Sequence, residues 1–158
     1  MSEDTSVSYM QKSRDYYAAH GYEKPYRWAH YESTPFTSLR KPLDKSRVTI
    51  VTTAMPDDRF KGPHRKRAVG NLNQPPEAFF TDDLAWDKDA THTRDLGTYF
   101  PVAELRRQIE AGRLGELASE FHCVPTTYSA RQTTDQDAPA IVDACVAQEV
   151  DIAILIPL

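Results

Sequence analysis

Apolar and polar positions fall into clear rhythms at the end of the chain, where two elements stand side by side. From Asp137 to Leu158 the sequence reads DAPAIVDACVAQEVDIAILIPL. Ile141, Val142, Cys145 and Val146 recur at i, i+1, i+4 and i+5, the spacing that gathers apolar side chains on one helix face. Asp137 is expected to cap this helix by accepting from the free N–H groups of its first turn, where Pro139 is tolerated. After Gln148–Asp151 comes Ile152-Ala153-Ile154-Leu155-Ile156, apolar without alternation. Such a run predicts a parallel-sheet strand covered on both faces.

The same reading extends upstream. Residues 5–20 predict a first helix, with Thr5 or Ser6 as cap, Val7, Met10, Arg14 and Tyr17 near helical spacing, and Gly21 as terminator. Tyr22 to Pro42 is too rich in proline for a helix and too aromatic for a disordered linker, and reads as an extended packed arm. The β-branched run Arg47 to Ala54 predicts a strand that Met55-Pro56-Asp57-Asp58 ends. Residues 57–77 read as a loop. Ala78-Phe79-Phe80 and Leu84-Ala85-Trp86 fit short strands or packed anchors. From Pro101 a helix follows, with Val102, Leu105 and Ile109 on one face and Gly112 as stop. Leu114 to Leu117 reads as a tight turn, Phe121 to Val124 as a strand, and Pro125 to Gln136 as a polar loop.

Strands that alternate with helices point to an α/β fold, a small three-layer sandwich around a mostly parallel sheet. Its architecture is Rossmann-like or flavodoxin-like but without a nucleotide fingerprint, because no glycine-rich turn follows the strand at 47–54. The expected organisation is one domain over 1–158, with a helix and arm at 1–45 and the core at 46–158. Strands of such sheets deliver functional groups just beyond their carboxyl ends, so a strand at 152–156 leads the chain toward a site. The expectation is that residues 1–158 are the N-terminal part of a longer protein, cut at its active-site loop.

Composition narrows the class. A chain of 158 residues with a formal charge of −4 gives no global sign of a nucleic-acid partner. No apolar run approaches the ~20 residues that span a bilayer, and the polar N-terminus is no secretory signal. The expected compartment is the cytoplasm. His64-Arg65-Lys66-Arg67 reads as a solvated basic loop. Cys145 reads as a small buried hydrophobe. His122 and Cys123, as strand neighbours, point to opposite faces and do not ligate one ion together. No metal site is expected.

The candidate chemistry lies in two places. Thr52 and Thr53 end a strand and offer hydroxyls to a carboxylate. Asp89 to Pro101 is dense in groups that donate, accept or titrate, and His92 between Thr91 and Thr93 fits a general acid or base near neutral pH. A capping and turn network explains the same residues equally well.

Several segments, taken in order, resemble the selenoprotein B family of the glycine/sarcosine/betaine reductases and D-proline reductase. They are Pro25-Tyr26-Arg27-Trp28-Ala29-His30 with Pro35-Phe36, the strand Val48 to Ala54, Thr91-His92-Thr93 with Gly97-Thr98-Tyr99-Phe100-Pro101, Gly112 to Leu117, and Val150 to Pro157. The likeness runs from about Val7 onward, covers only the first part of a family member, and departs most at 57–88. It implies a selenocysteine or cysteine directly after Leu158, followed by Pro-Val-Cys-His, so that no catalytic residue lies within residues 1–158. A UGA codon read as termination accounts for that boundary. The implied chemistry is reductive cleavage of a C–N bond, with a pyruvoyl group on a partner subunit and a dithiol reductant system. Thr53, His92 and Thr93 would then line the substrate pocket. A homo-oligomer is compatible with this reading.

Two other readings compete. The chain is then a complete non-catalytic α/β binding or assembly module. Alternatively it is a small hydrolase built on His92 and a threonine, which no nucleophile elbow supports.

Overall fold

The computed structural model describes residues 8–24, 30–35, 37–57, 66–81, 89–126 and 130–158. The expected cap at Thr5 or Ser6, the basic residues His64 and Arg65, and Leu84-Ala85-Trp86 lie outside these. The chain divides into two compact units, Met1–Phe36 and Thr37–Leu158. The first carries helix α1, Tyr9–Ala19, which buries no residue of its own. Its polyphenol face is held together locally: Tyr16 stacks on His20 at 4.1 Å, and Tyr17 meets Tyr22 edge-on at 5.5 Å. Gly21, at φ 83°, turns the chain out of the helix in the left-handed region that glycine tolerates.

The second unit is a small α/β sandwich. Its elements are β1 (Arg47–Thr52), β2 (Ala68–Asn71), α2 (Val102–Glu110), β3 (Glu116–Leu117), β4 (Glu120–Cys123), a short helix α3 (Ala130–Gln132), a π turn at Thr133–Asp137, α4 (Ala138–Ala147) and β5 (Ile152–Ile156). β1 is central. Along one flank it pairs parallel with β3 and then β4, with Val48 opposite Leu117 and Thr52 opposite Cys123. Along the other it pairs parallel with β5 over its last five residues, Val48 opposite Ile152 and Thr52 opposite Ile156. β2 adds to β4 antiparallel, so the sheet is mixed but mostly parallel. The sequence reading had placed residues 68–71 in a loop. Their pattern is too short and too small in side chain to announce a strand, and only β4 gives it a partner.

Strand alternation sorts the sheet into two faces. Ile50, Phe121 and Cys123 join the buried cluster on one, with Leu72, Phe79, Phe100 and Val102, and with Leu105 of α2 packed against it. Phe100 and Phe121 meet at 4.6 Å and Phe79 and Phe100 at 4.8 Å, both edge-to-face, the geometry aromatic quadrupoles favour. The other face presents Val51, Ala153 and Leu155 to α4. His122 lies on that second face, one register from Cys123, as neighbouring strand residues must.

Three expectations need correction. The last helix starts upstream of Asp137, at Ala130, and runs through the π turn, so Asp137 has helical backbone angles and its side chain makes no cap. β5 is an edge strand among the described residues, paired only with β1, and Leu155 stands 73% exposed. Its continuous apolar run therefore does not mean burial on both faces. Cys145 is half-buried rather than sequestered.

Gly70 makes the tightest fit in the sheet. A Cβ there would meet Cζ of Phe121 at 2.2 Å, and that ring is locked by Phe79 and Phe100. Gly70→Ala is expected to destabilise the chain by about 1–3 kcal/mol in denaturant unfolding. The penalty should shrink in a Phe121→Leu background, since the two sites share one contact.

Candidate functional site

Helices α2 and α4 cover opposite faces, and the chain places β4 on one flank of β1 and β5 on the other. In open α/β sheets the ligand crevice opens at the carboxyl ends of the strands where the winding reverses. Three strands end together at this edge, β1 in Thr53-Ala54, β4 in Val124-Pro125 and β5 in Pro157-Leu158. Val124 N–H donates to the Thr52 carbonyl at 2.8 Å, which carries the pairing past the last ladder residue.

Thr53 joins two of these ends. Its hydroxyl accepts from the Leu158 N–H at 2.8 Å and donates to the Leu158 carbonyl at 3.2 Å. One side chain thus closes both backbone groups of Leu158 and fixes where the chain leaves β5. Thr93 is tied differently. Its hydroxyl shares a hydrogen bond with that of Thr81 at 2.9 Å, and its carbonyl accepts from the Tyr99 hydroxyl at 3.2 Å. Thr81 follows Phe80, which bridges to Met55 just past β1, so Thr93 is anchored toward the same edge. His92 is exposed. Among the described residues, no hydrogen bond joins His92 or Thr93 to Thr53. The turn network is real: Asp95 Oδ1 accepts from Gly97 N–H at 3.1 Å, and Thr98 donates to the Asp95 carbonyl at 2.7 Å.

A second cluster escaped the sequence reading. On the α4 face, Arg67 donates from Nη1 to Nδ1 of His122 at 3.1 Å. A guanidinium has no acceptor, so Nδ1 takes the proton-free role and the neutral imidazole carries its proton on Nε2. Burial first, and then the Arg67 charge, lower the His122 pKa from 6.5. Asp137 is 6% exposed with Oδ2 unpaired among the described residues, and burial pushes its carboxyl up while Arg67 pulls it partly back. The sequence makes Arg67 part of a solvated loop and Asp137 a cap, whereas the structure engages Arg67 with His122 and buries Asp137. The one signal in the sequence was a histidine inside a strand, on the face opposite Phe121 and Cys123.

Burial disfavours the thiolate form at both cysteines. It raises the Cys123 thiol to about 12 and raises that of Cys145 as well. No group of three or more histidine, cysteine or acidic side chains is arranged to hold a metal among the described residues. No helix among them is long and apolar enough to cross a membrane.

Against protein-family models, curated proteins and solved structures, the chain returns no match.

Thr53→Val keeps the branched shape and removes both bonds to Leu158. It is expected to cost about 0.5–1.5 kcal/mol in urea unfolding, read as a lower midpoint with an unchanged slope. His122 gives a pH prediction. Its folded pKa lies below the unfolded value of 6.5, so the unfolded chain binds the proton first and stability falls as pH drops below 6.5. Asp137 acts with the opposite sign at lower pH, because its folded pKa lies above the unfolded 3.8 and acid relieves its burial. His122→Asn retains an acceptor for Arg67 but does not titrate. Its stability should be flatter than that of the parent between roughly pH 6.5 and 5, as thermal unfolding across that range will report.

Proposed function

We propose that the chain belongs to a subunit that reductively cleaves the C–N bond of an amino acid or its N-methyl derivative, in the manner of the selenoprotein B reductases. The observation that carries the reading is the paired exit of β1 and β5. Thr53 holds Leu158 at the carboxyl edge of the central strands, where the resemblance puts the reactive chalcogen one residue further on. A selenolate or thiolate at that position attacks the α-carbon, the C–N bond breaks, and the amine leaves. A pyruvoyl group on a partner subunit would help make the amine a leaving group; a dithiol sulfur would then bond to the chalcogen as the carbon is released with a proton, and the second sulfur would free the chalcogen as the disulfide forms. The raised thiols of Cys123 and Cys145 support a nucleophile other than these two.

The role of this chain's residues in that chemistry is placement. Thr53 sets the exit of β5, and Thr93, held by Thr81 and Tyr99, walls the adjoining loop. His92 stands exposed on that loop, free to meet a substrate carboxylate.

A second reading, a non-catalytic binding or assembly module, draws on the uncovered side of β5, where Leu155, Val142 and Val146 are exposed. Size-exclusion chromatography separates the two. A module of this kind runs as a clean monomer or symmetric oligomer, whereas an α/β domain that continues beyond residue 158 aggregates when cut there.

Two measurements test the reductase reading. The reading frame after the Leu158 codon is expected to hold UGA or a cysteine codon and then Pro-Val-Cys-His; a UAA or UAG followed by noncoding sequence, or another frame, overturns it. Residues 1–158 alone are expected to release no ammonia or amine from glycine, sarcosine, betaine or D-proline with a dithiol. Turnover above background by this chain would contradict the proposed nucleophile.

A further inference from the structure

The α4 face of the sheet holds a groove that the reductase reading leaves idle. Helix α4 stands off from β1 and β5 and leaves a space of about 430 Å³. That is within the ~300–1,000 Å³ of small-molecule sites. The five residues of β5 set its length, roughly 16 Å at ~3.3 Å per residue. Val51, Ile141, Val142, Val146 and Leu155 make its walls apolar.

Its two ends differ. At the amino end of β5, Asp151 is already engaged: Oδ2 accepts from Lys41 at 2.8 Å and from the Arg47 N–H at 2.7 Å. At the other end, beside Val124 at the exit of β4, stands Asp137. Its side chain forms part of the groove wall, yet Oδ2 is closed to solvent and finds no donor among the described residues. A buried acceptor without a donor is rare, because its desolvation goes uncompensated. The π turn at Thr133–Asp137 is what aims this side chain inward, and such turns recur where a helix serves a site. A turn about χ2, a broad and roughly two-fold torsion, would bring a carboxylate oxygen to the groove.

The geometry points to a ligand site: the groove between α4 and β5 takes a small elongated molecule with an apolar body and a primary ammonium at one end, which donates to Asp137. The body lies along Val142, Val146 and Leu155. Charge complementarity selects the head group, since an ammonium carries three donors and no acceptor and its bond to a carboxylate is charge-assisted. None of the described lining residues is cationic, so an anionic head finds no partner among them; Arg67 is outside that lining and donates to His122. Among the described residues, Arg67, from the segment before β2, is the charge that acts on Asp137, and its guanidinium also donates to His122 of β4. The site is independent of the chemistry proposed at the end of β5.

Calorimetric titration of the 158-residue chain with n-octylamine, n-octanol and n-octanoate tests this. The amine is expected to bind at least about tenfold more tightly than either comparator. Asp137→Asn should erase that margin and leave the binding of n-octanol unchanged. Ala153→Phe, at an exposed lining position, should fill the groove and abolish binding of all three. n-Octyltrimethylammonium, which keeps the charge and the alkyl body but has no N–H to donate, supplies a second test on the parent chain should Asp137→Asn not fold, and is expected to bind no more tightly than the alcohol. Equal binding of the three probes, no binding by any, or a margin that survives both of these tests overturns the site. So does a dimer in sedimentation that buries this face and does not dissociate with the amine.

Discussion

Strand β1 is satisfied along both edges, and the rest of the second unit is arranged around that fact. A backbone N–H or C=O shut away from water must find a partner. β1, whose Val48, Thr49 and Ile50 are almost fully buried, meets this by pairing with β3 and β4 on one flank and β5 on the other. Side chains extend the same logic at both ends of the ladder. Asp151 caps the entry through the Arg47 N–H, Arg47 reaches the Gln148 carbonyl and Glu116, and Thr53 closes the exit on Leu158. The register is therefore pinned twice, and a one-residue slip of β5 would break both pins as well as reverse its faces.

The two faces are finished to different degrees. On the α2 side, three phenylalanine rings interlock and Gly70 makes room for one of them. On the α4 side the helix covers the sheet only in part: His122 meets the Arg67 guanidinium, while Oδ2 of Asp137 has no partner among the described residues. Tight packing on one side gives the sheet its rigidity. The looser side is where a ligand can enter without dismantling the core.

How much of this was legible in the chain follows from the physics of each signal. β1 and β5 were plain, because β-branched and aliphatic runs of that length have few alternatives. α2 was plain from its spacing and from Gly112, which sits at φ 67°. β2 was not, since AVGN has no pattern of its own and becomes a strand only against β4. Thr53 was singled out for its place at a strand end, and the structure puts it at the carboxyl edge, bonded to both backbone groups of Leu158. The Asp137 cap failed for a local reason: helical structure reaches it from upstream, through a Thr-rich segment whose propensity argues against helix. Arg67 and His122 meet only through the pairing of β2 with β4, a contact between residues far apart in sequence that no local pattern encodes.

The π turn also sets the direction in which its own residues face. Each residue advances an α-helix by about 100°, so the wide turn at Thr133–Asp137 behaves as a one-residue insertion absorbed within a continuous rod. Removing a single residue from it would let the rod close into regular α geometry. Asp137 would then swing out of its buried seat, while α4 beyond it could keep its own angular setting. Lineages that gain or lose that residue would carry the same scaffold with its acidic group either folded in or turned away.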